Sequence, residues 1–426
     1  VTSESTPWRP KAAAPGRREP VGATPTGTGL RRRRRRRWTC RCSLGLAVLL
    51  FGAAGAGWVA YEKLDSNITA DTDAASELAR HEKERPASIA PGALNILVIG
   101  SDSRSGAGNS RYGRDSGTER SDTTILLHLA ADRRSATAVS LPRDLMVDVP
   151  SCRRPDGSQS EAAFTMLNHA FANGGSACTI RTVEKLTNIR IDHHMVVDFE
   201  GFTKMVDAVD GVEVCLKQPI DDRAADLKLP AGRVTLDGEQ ALGYVRARKS
   251  LGDGSDTERM ERQQRFLGAL VSKVRSDGVL LNPVKLYPVL DAATSSLTAD
   301  PGLASLRRLY DLVHGLRNLP TDDVQFLTAP RTAYLYDTDR DQLVEPEAHE
   351  LFARLRADQP VAVTKEVAAN SPSGTNARTA DDCDGEQSYG DGKSYGKTAA
   401  DSVLPDRPPT PPPTFRGNTA TQDACG

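Results

Sequence analysis

Apolar residues along this chain fall into three patterns. The first is one unbroken run, Cys42–Tyr61 (CSLGLAVLLFGAAGAGWVAY), twenty residues without a charge. That is close to the ~20 residues a helix needs to cross a bilayer. The second is a set of short continuous runs, LNILVIG from Leu94, TTILLHL from Thr123 and ATAVSL from Ala136. Such runs are expected of strands buried on both faces. HHMVVDF from His193 and GVEVCLKQPI from Gly211 read as further strands. The third recurs every three to four residues and predicts helices: TMLNHAFANGG from Thr165, CTIRTVEKLTN from Cys178 and EGFTKMVDAVDGV from Glu200. The clearest helix starts at Asp256, a capping residue, and aligns Phe266, Leu267, Leu270, Val271 and Val274 in one stripe. The alternation over 94–360 predicts an α/β domain, an α-β-α sandwich around a mixed central sheet, preceded by one transmembrane helix.

Flanking composition sets the remaining boundaries. Residues 1–38 are Pro, Gly, Thr and Arg without an apolar period and read as a disordered basic tail. Residues 62–93 read as a polar stalk. Residues 361–426, rich in Gly, Pro, Ser and Asp, read as a second disordered tail, because they bury too little to offset chain entropy. Net charge is −1 but uneven: residues 1–41 hold eleven arginines and Lys11 against Glu4 and Glu19. The run Arg31–Arg37 immediately precedes the apolar span, which predicts a cytoplasmic N-terminus and an extracellular domain. Trp58 and Tyr61 fall at the far interface. A cleaved signal peptide is the alternative, but its apolar part is usually ~7–15 residues. Membrane topology accounts for the arginine run, so no nucleic-acid partner is expected.

Five of the seven cysteines fall beyond the span, where disulfides persist. Cys152 and Cys178 flank one loop-and-helix segment and are paired here, with two free thiols as the alternative. Cys215 reads as a buried thiol; Cys383 and Cys425 share the polar tail and are candidates to pair with each other.

The candidate chemistry is a repeated juxtaposition of Asp and Arg. Asp102 and Arg104 follow the strand LNILVIG, and Arg120 and Asp122 precede TTILLHL. If these strands are neighbours, both carboxylates reach one edge, as hard ligands suited to Mg²⁺ or Mn²⁺; otherwise they are turn aspartates. Arg143 and Asp144 follow Pro142 at another strand end. Arg246 and Arg248, beside Tyr244, would share a face if extended. On the Asp256 helix, Arg259 and Gln263 begin the stripe that Phe266 and Leu270 continue, with Arg262 alongside. Inward-facing arginines require anionic partners. A pyrophosphate with a divalent ion meets that need, since guanidinium forks match phosphate oxygens; an internal ion-pair network meets it equally. His193 and His194 alternate along a strand and do not suit one metal. GSDSRSGAG lacks the Lys-Ser/Thr of a P-loop, and no GxSxG or Cys–His arrangement points to acyl chemistry.

The blocks NILVIGSDSR, RSDT, SLPRD, LNHAF, DFEGFTKMVDAVDGVEV, LDGEQALGYVRAR and DTERMERQQRFL come in the order found in the LytR-CpsA-Psr family, which the chain resembles from 94 to about 275. The resemblance implies an extracytoplasmic phosphotransferase. Such an enzyme moves a glycopolymer from a polyprenyl-pyrophosphate carrier to peptidoglycan and releases polyprenyl phosphate. It implies Mg²⁺ on Asp102 and Asp122. It implies pyrophosphate contacts from Arg104, Arg120, Arg143, Arg246, Arg248, Arg259, Arg262 and Gln263, and an apolar pocket for the polyprenyl chain. Asp122 or Asp144 would take the acceptor's proton. The alternatives are a polyprenyl-pyrophosphate phosphatase and a non-catalytic, membrane-anchored lipid- or wall-binding protein. The long polar segment Ser105–Glu119 departs from the family pattern and leaves Arg111 and Arg114 as extra donors or loop surface.

Overall fold

The computed structural model describes residues 28–101, 121–223, 225–247, 256–276, 283–316, 319–364 and 414–420. The chain divides into two compact units, 1–60 and 61–426. Helix α1 (Thr28–Asn67) contains the span read from sequence: Leu44–Asn67 is long and apolar enough to cross a membrane, with hydropathy 1.8. Leu49, Phe51 and Val59 on it are all exposed, as suits a helix apolar on every side. The helix reaches back to Thr28, so residues 28–38 of the basic tail are helical rather than disordered. Arginine is a good helix former, and here it adjoins a helix that is already nucleated.

The elements of the second unit, in chain order, are β1 (Thr69–Ala70), α2 (Thr72–Arg80), β2 (Leu94–Ser101), β3 (Ser121–Leu129), β4 (Ala136–Leu141), β5 (Met146–Val149), β6 (Ala163–Met166), α3 (Asn168–Thr187), β7 (His193–Val197), α4 (Phe199–Ala208), β8 (Val212–Leu216), β9 (Ile220–Asp222), β10 (Leu227–Leu229), β11 (Gly232–Leu236), α5 (Gly238–Arg246), α6 (Asp256–Ser276), α7 (Pro283–Ser295), β12 (Leu297–Ala299), α8 (Leu306–Gly315), β13 (Val324–Thr328), β14 (Arg331–Tyr334), β15 (Asp337–Leu343), α9 (Glu347–Arg356), β16 (Ala362–Thr364) and β17 (Thr414–Thr419). One mixed sheet has the order β1-β12-β7-β2-β3-β4-β13-β17-β16. β2 runs parallel to β7 and β4 parallel to β13, while β3 is antiparallel to both its neighbours. The carboxyl ends of β7, β2, β4 and β13 therefore share one edge, where β3 begins.

Side chains alternate between two cores. Leu97, Ile99, Leu126, Val139 and Leu327 pack on one face with Ala74 and Leu78 of α2, Ile180 and Val183 of α3, and Leu351 of α9. Ile96, Ile125, Ala138 and Phe326 pack on the other with Leu267 of α6 and Leu312 of α8. Every strand between them is buried on both sides, which is why each reads as a continuous apolar run. A third core, around Phe266, joins α4, α5 and α6 under the β8–β11 and β9–β10 ribbons.

Several boundaries differ from the sequence reading. The stalk is largely built into the fold: Leu64 is buried, β1 pairs with β12, and Asp71 caps α2 by accepting from the Ala74 amide. The tail after residue 360 is not wholly disordered, because β16 and β17 extend the sheet beside β13. α3 spans two expected helices, kinked where Gly174 and Gly175 leave helical φ/ψ. The kink brings Cys178 onto Cys152, and the two form a disulfide with Cα atoms 5.7 Å apart. A Cβ on Gly174 would lie 2.9 Å from both the Arg153 carbonyl oxygen and Cys152 Cβ, so only glycine fits there. Cys215 is not a free thiol: it is disulfide-bonded, to a cysteine whose side chain is outside the described residues. Cys383 and Cys425 also lie outside them.

Candidate functional site

β2 and β3 are held in register to their shared end, where Ser101 faces Ser121. Asp122 follows at the edge. On the other side of β3, Thr124 pairs with Leu141, so the chain leaving β4 carries Arg143 and Asp144 alongside Asp122. Arg143 joins the two carboxylates: its Nη1 donates to Asp122 Oδ1 at 2.9 Å, and its Nε to Asp144 Oδ2 at 3.2 Å. The side chains keep 18% (Arg143), 31% (Asp122) and 16% (Asp144) of their exposure, so the cluster is recessed but open. Below it, the Asn168 amide donates to the Arg143 carbonyl at 3.1 Å. The side chain of Asn168 is buried, and its Oδ1 has no hydrogen-bond partner among the described residues. A buried amide oxygen of this kind calls for a donor.

The second half of the site sits at the junction of α5 and α6. α5 begins with a capping box, in which Asp237 accepts from the Gln240 amide at 2.8 Å and Gln240 Oε1 accepts from the Asp237 amide at 3.2 Å. Gly238 lets this end close on α4, since a Cβ there would lie 2.4 Å from the Thr203 carbonyl oxygen. Arg246 therefore lies in the last turn of a helix, not in the extended segment expected from sequence. Its guanidinium stacks 4.5 Å from the ring centre of Phe199, which begins α4 just past the carboxyl end of β7. Arg262 donates to the Ala247 carbonyl and Gln263 donates to the Val245 carbonyl at 3.2 Å, pinning the peptides on either side of Arg246. Arg259, Arg262 and Gln264 are buried. Burial holds the Arg262 guanidinium's pKa below its ordinary value. Gln264 fastens α6 to the sheet edge, donating to Ser140 Oγ at 3.1 Å and Thr328 Oγ1 at 3.0 Å.

Asp122, Arg143 and Asp144 are thus brought together at the carboxyl edge of the parallel strands, where ligands of open α/β sheets bind. Arg246, Arg262 and Gln263 form a second group along that edge. Asp102, Arg104, Arg120 and Arg248, with the Ser105–Glu119 segment, lie outside the described residues. His193 and His194 diverge, His193 meeting Asp300 and His194 meeting Asp71, each at 3.1 Å.

The chemistry of the donors can be tested against a divalent ion. Among the described residues no three His, Cys, Asp or Glu side chains cluster as a ready metal cage. Mg²⁺, however, is usually held by one or two carboxylates plus water and phosphate. Asp122, a partly exposed carboxylate with only Oδ1 engaged by Arg143, fits one such ligand.

The LytR_cpsA_psr family model matches residues 63–357. This chain belongs to that family. The match begins close to where the second unit begins and takes in α2 and β1, in accord with their packing into the domain. The chain is 34% identical to the cell wall biosynthesis protein LcpA of Corynebacterium glutamicum, over 68% of its own length and 59% of that protein's. It is 28% identical to the polyisoprenyl-teichoic acid–peptidoglycan teichoic acid transferase TagT of Bacillus subtilis, over 70% and 89% of the two chains. The chain spans about half to three-fifths of the length of the first curated relatives it matches. The solved LytR-Csp2A-Psr enzyme from Actinomyces oris has the same fold, with a TM-score of 0.50 at 21% identity, over 64% of this chain and 93% of that one.

Within the LytR_cpsA_psr frame, three site residues escaped the sequence reading. Phe199 looked like the end of a strand, although an aromatic at a strand–helix junction is well placed to carry a stacked arginine. Gln264 was hidden by Gln263 beside it, though a polar residue two before Phe266 was a visible interruption. Asn168 lay in the LNHAF block but had no assigned role.

Proposed function

We propose that this chain is a membrane-anchored phosphotransferase that attaches a glycopolymer from a polyprenyl-pyrophosphate carrier to peptidoglycan. The observation that carries the proposal is the Asp122–Arg143–Asp144 cluster, recessed but open at the carboxyl edge of the sheet. The named activities of the teichoic acid transferases among its relatives support the same reading. The acceptor's sugar hydroxyl attacks the phosphorus nearest the glycan, and polyprenyl phosphate leaves. Arg143, bonded to both carboxylates, stabilises charge growing on the transferring oxygens. Arg246, held flat on Phe199, presents its fork to the pyrophosphate, with Arg104, Arg120, Arg248 and Arg259 as further contacts. Arg262 and Gln263 position Arg246 through the carbonyls they grip. Asp144 is the carboxylate left to take the acceptor's proton. When bound by Asp122 and Asp102, Mg²⁺ or Mn²⁺ would neutralise phosphate charge. The arginine run before the apolar helix supports an orientation with the N-terminus in the cytoplasm and the domain outside.

The test is transfer of a labelled lipid-linked glycan to peptidoglycan oligomers by the full chain, with and without chelator. Polyprenyl phosphate should appear only when acceptor is present and should be lost with the chelator. Release without acceptor would make the protein a phosphatase, and no release in any condition would make it a binding protein.

A further inference from the structure

Next to the catalytic edge stands a hairpin whose exposed end is aromatic. β14 and β15 pair antiparallel, with a register shift between Ala333 and Tyr334. Leu335 and Tyr336 at the turn are 76% and 82% exposed. Tyr334 and Tyr336 meet edge to face at 5.4 Å, and Phe164 of β6, 53% exposed, reaches Tyr334 at 6.0 Å. Single exposed aromatics are ordinary, but three rings in a row, with Tyr334 between Phe164 and Tyr336, beside an exposed leucine form a patch of the kind that marks a contact surface.

The other end of the hairpin is fixed to the site. The Asp341 amide donates to the Asp144 carbonyl at 3.1 Å, and Leu145 bridges to Asp341. The Asp341 side chain is buried in an ion pair with Arg331. Asp144 is thus one backbone hydrogen bond from a rigid ribbon whose tip, four residues further at Asp337, is about 13 Å away by strand rise. That distance suits a chain of linked rings with one end at Asp144.

Charge decides which chain. The hairpin carries Asp337, Asp339 and Asp341 against Arg331 and Arg340. It has no excess of positive charge to hold a pyrophosphate or anionic lipid headgroups, which favour clusters of Lys and Arg. Uncharged pyranose rings fit better. Their C–H faces lie flat on tyrosine and phenylalanine rings, and their hydroxyls donate to the carboxylates of Asp337 and Asp339.

We propose that the β14–β15 hairpin, with Phe164, is the platform on which the acceptor glycan strand lies, its reacting hydroxyl brought towards Asp144. The assignment rests on the transferase reading for its purpose, but not for its measurement. The full chain in detergent is titrated with soluble, uncrosslinked peptidoglycan glycan oligomers, with no lipid donor and no metal, and binding is followed by saturation-transfer NMR. The acceptor and donor KM values are then measured in the transfer assay. Wild type should bind the oligomers, with the sugar ring protons showing the strongest transfer. Tyr336→Ala and Phe164→Ala should each weaken binding and raise the acceptor KM about tenfold, leaving the donor KM in place. Tyr336→Trp, which keeps a stacking face, should restore binding. Both positions are exposed, so unfolding temperatures should match wild type. Unchanged acceptor binding and KM in Tyr336→Ala and Phe164→Ala would overturn the platform, as would losses confined to vesicle association. Oligomer binding by a wild-type protein that transfers nothing would overturn the transferase reading and leave the glycan platform standing.

Discussion

Two arginine–carboxylate groups in this molecule use the same residue chemistry and differ in burial and in bonding. Arg85 and Glu184 are buried, with side chains 10% and 3% exposed. Arg85 Nε donates to both Glu184 oxygens at 3.1 and 3.0 Å, and Nη2 donates to Oε1 and to the Ile191 carbonyl at 2.7 Å each. The Ile191 amide closes the group by donating to Glu184 at 2.9 Å. Burial works against this guanidinium, but the bonds to Glu184 outweigh it and leave its pKa raised. At the sheet edge, Arg143 instead divides single bonds between Asp122 and Asp144, and all three stay partly exposed. The saturated pair holds α3 to the chain leading into β2. The edge group ties Asp122 to Asp144 and keeps part of each carboxylate open to solvent. The two groups thus differ in burial and in how the guanidinium is shared, the first closed around one carboxylate and the second spanning two.

The largest effect should come from breaking the closed group. Glu184→Ala leaves Arg85 charged, buried and without its main partner, and should cost about 3–5 kcal/mol of unfolding free energy. Chemical denaturation measures it. A loss below about 1 kcal/mol, the range of exposed pairs, would make this buried group no different from a surface pair.

Asp122→Asn should show the opposite signature. The pair it breaks is open to solvent, so stability should change by about 1 kcal/mol or less. Transfer to peptidoglycan should fall on the order of 10²–10³-fold, as when one electrostatic element of a preorganised site is lost. A variant that unfolds more readily yet transfers normally would assign Asp122 to the framework.

How far such distinctions can be read from sequence depends on the range of the interactions. β2, β3 and β4 were legible because strands buried on both faces declare themselves as apolar runs. The Asp256 helix was legible from its stripe, and the Cys152–Cys178 bridge from the segment between. Arg246 was misplaced because VRAR can be extended or helical, while the deciding signal, the Asp237–Gln240 capping box, lies nine residues upstream. β17 was missed because TFRGNT carries one large apolar residue, Phe415, and its pairing with β13 is a contact across almost a hundred residues. Cys215 looked like a core thiol because burial is visible in an alternating strand and a distant partner is not.

A third polar group, at the far end of β2 and β3, extends the comparison to a titratable side chain. His128 is buried, with Nδ1 2.8 Å from Asn95 Oδ1 and Nε2 3.0 Å from Asp358 Oδ1. Desolvation dominates and lowers its pKa below the ordinary ~6.5, despite the opposing pull of Asp358. The unfolded chain therefore takes up this proton at higher pH than the folded one. The stability His128 contributes is present above about pH 6.5 and is lost as pH falls towards its folded pKa. His128→Gln should flatten the stability–pH curve there, and an unchanged slope would show that another group titrates.

The smallest effect concerns Arg246, whose guanidinium is stacked on a ring. Arg246 keeps its charge in Arg246→Lys but loses both the planar stack on Phe199 and the fork that spans two oxygens. Phe199 is buried and Arg246 partly so, which puts this cation–π contact at about 1–2 kcal/mol, and the donor KM should rise about five- to thirtyfold, with folding unaffected. Phe199→Leu removes the platform and leaves the guanidinium, and it should produce a similar rise. If the stack is what aims Arg246, the two changes together should cost little more than either alone, because the second removes an interaction already gone. Full additivity would mean that Arg262 and Gln263, through the carbonyls on either side, set the direction of Arg246 without help from the ring.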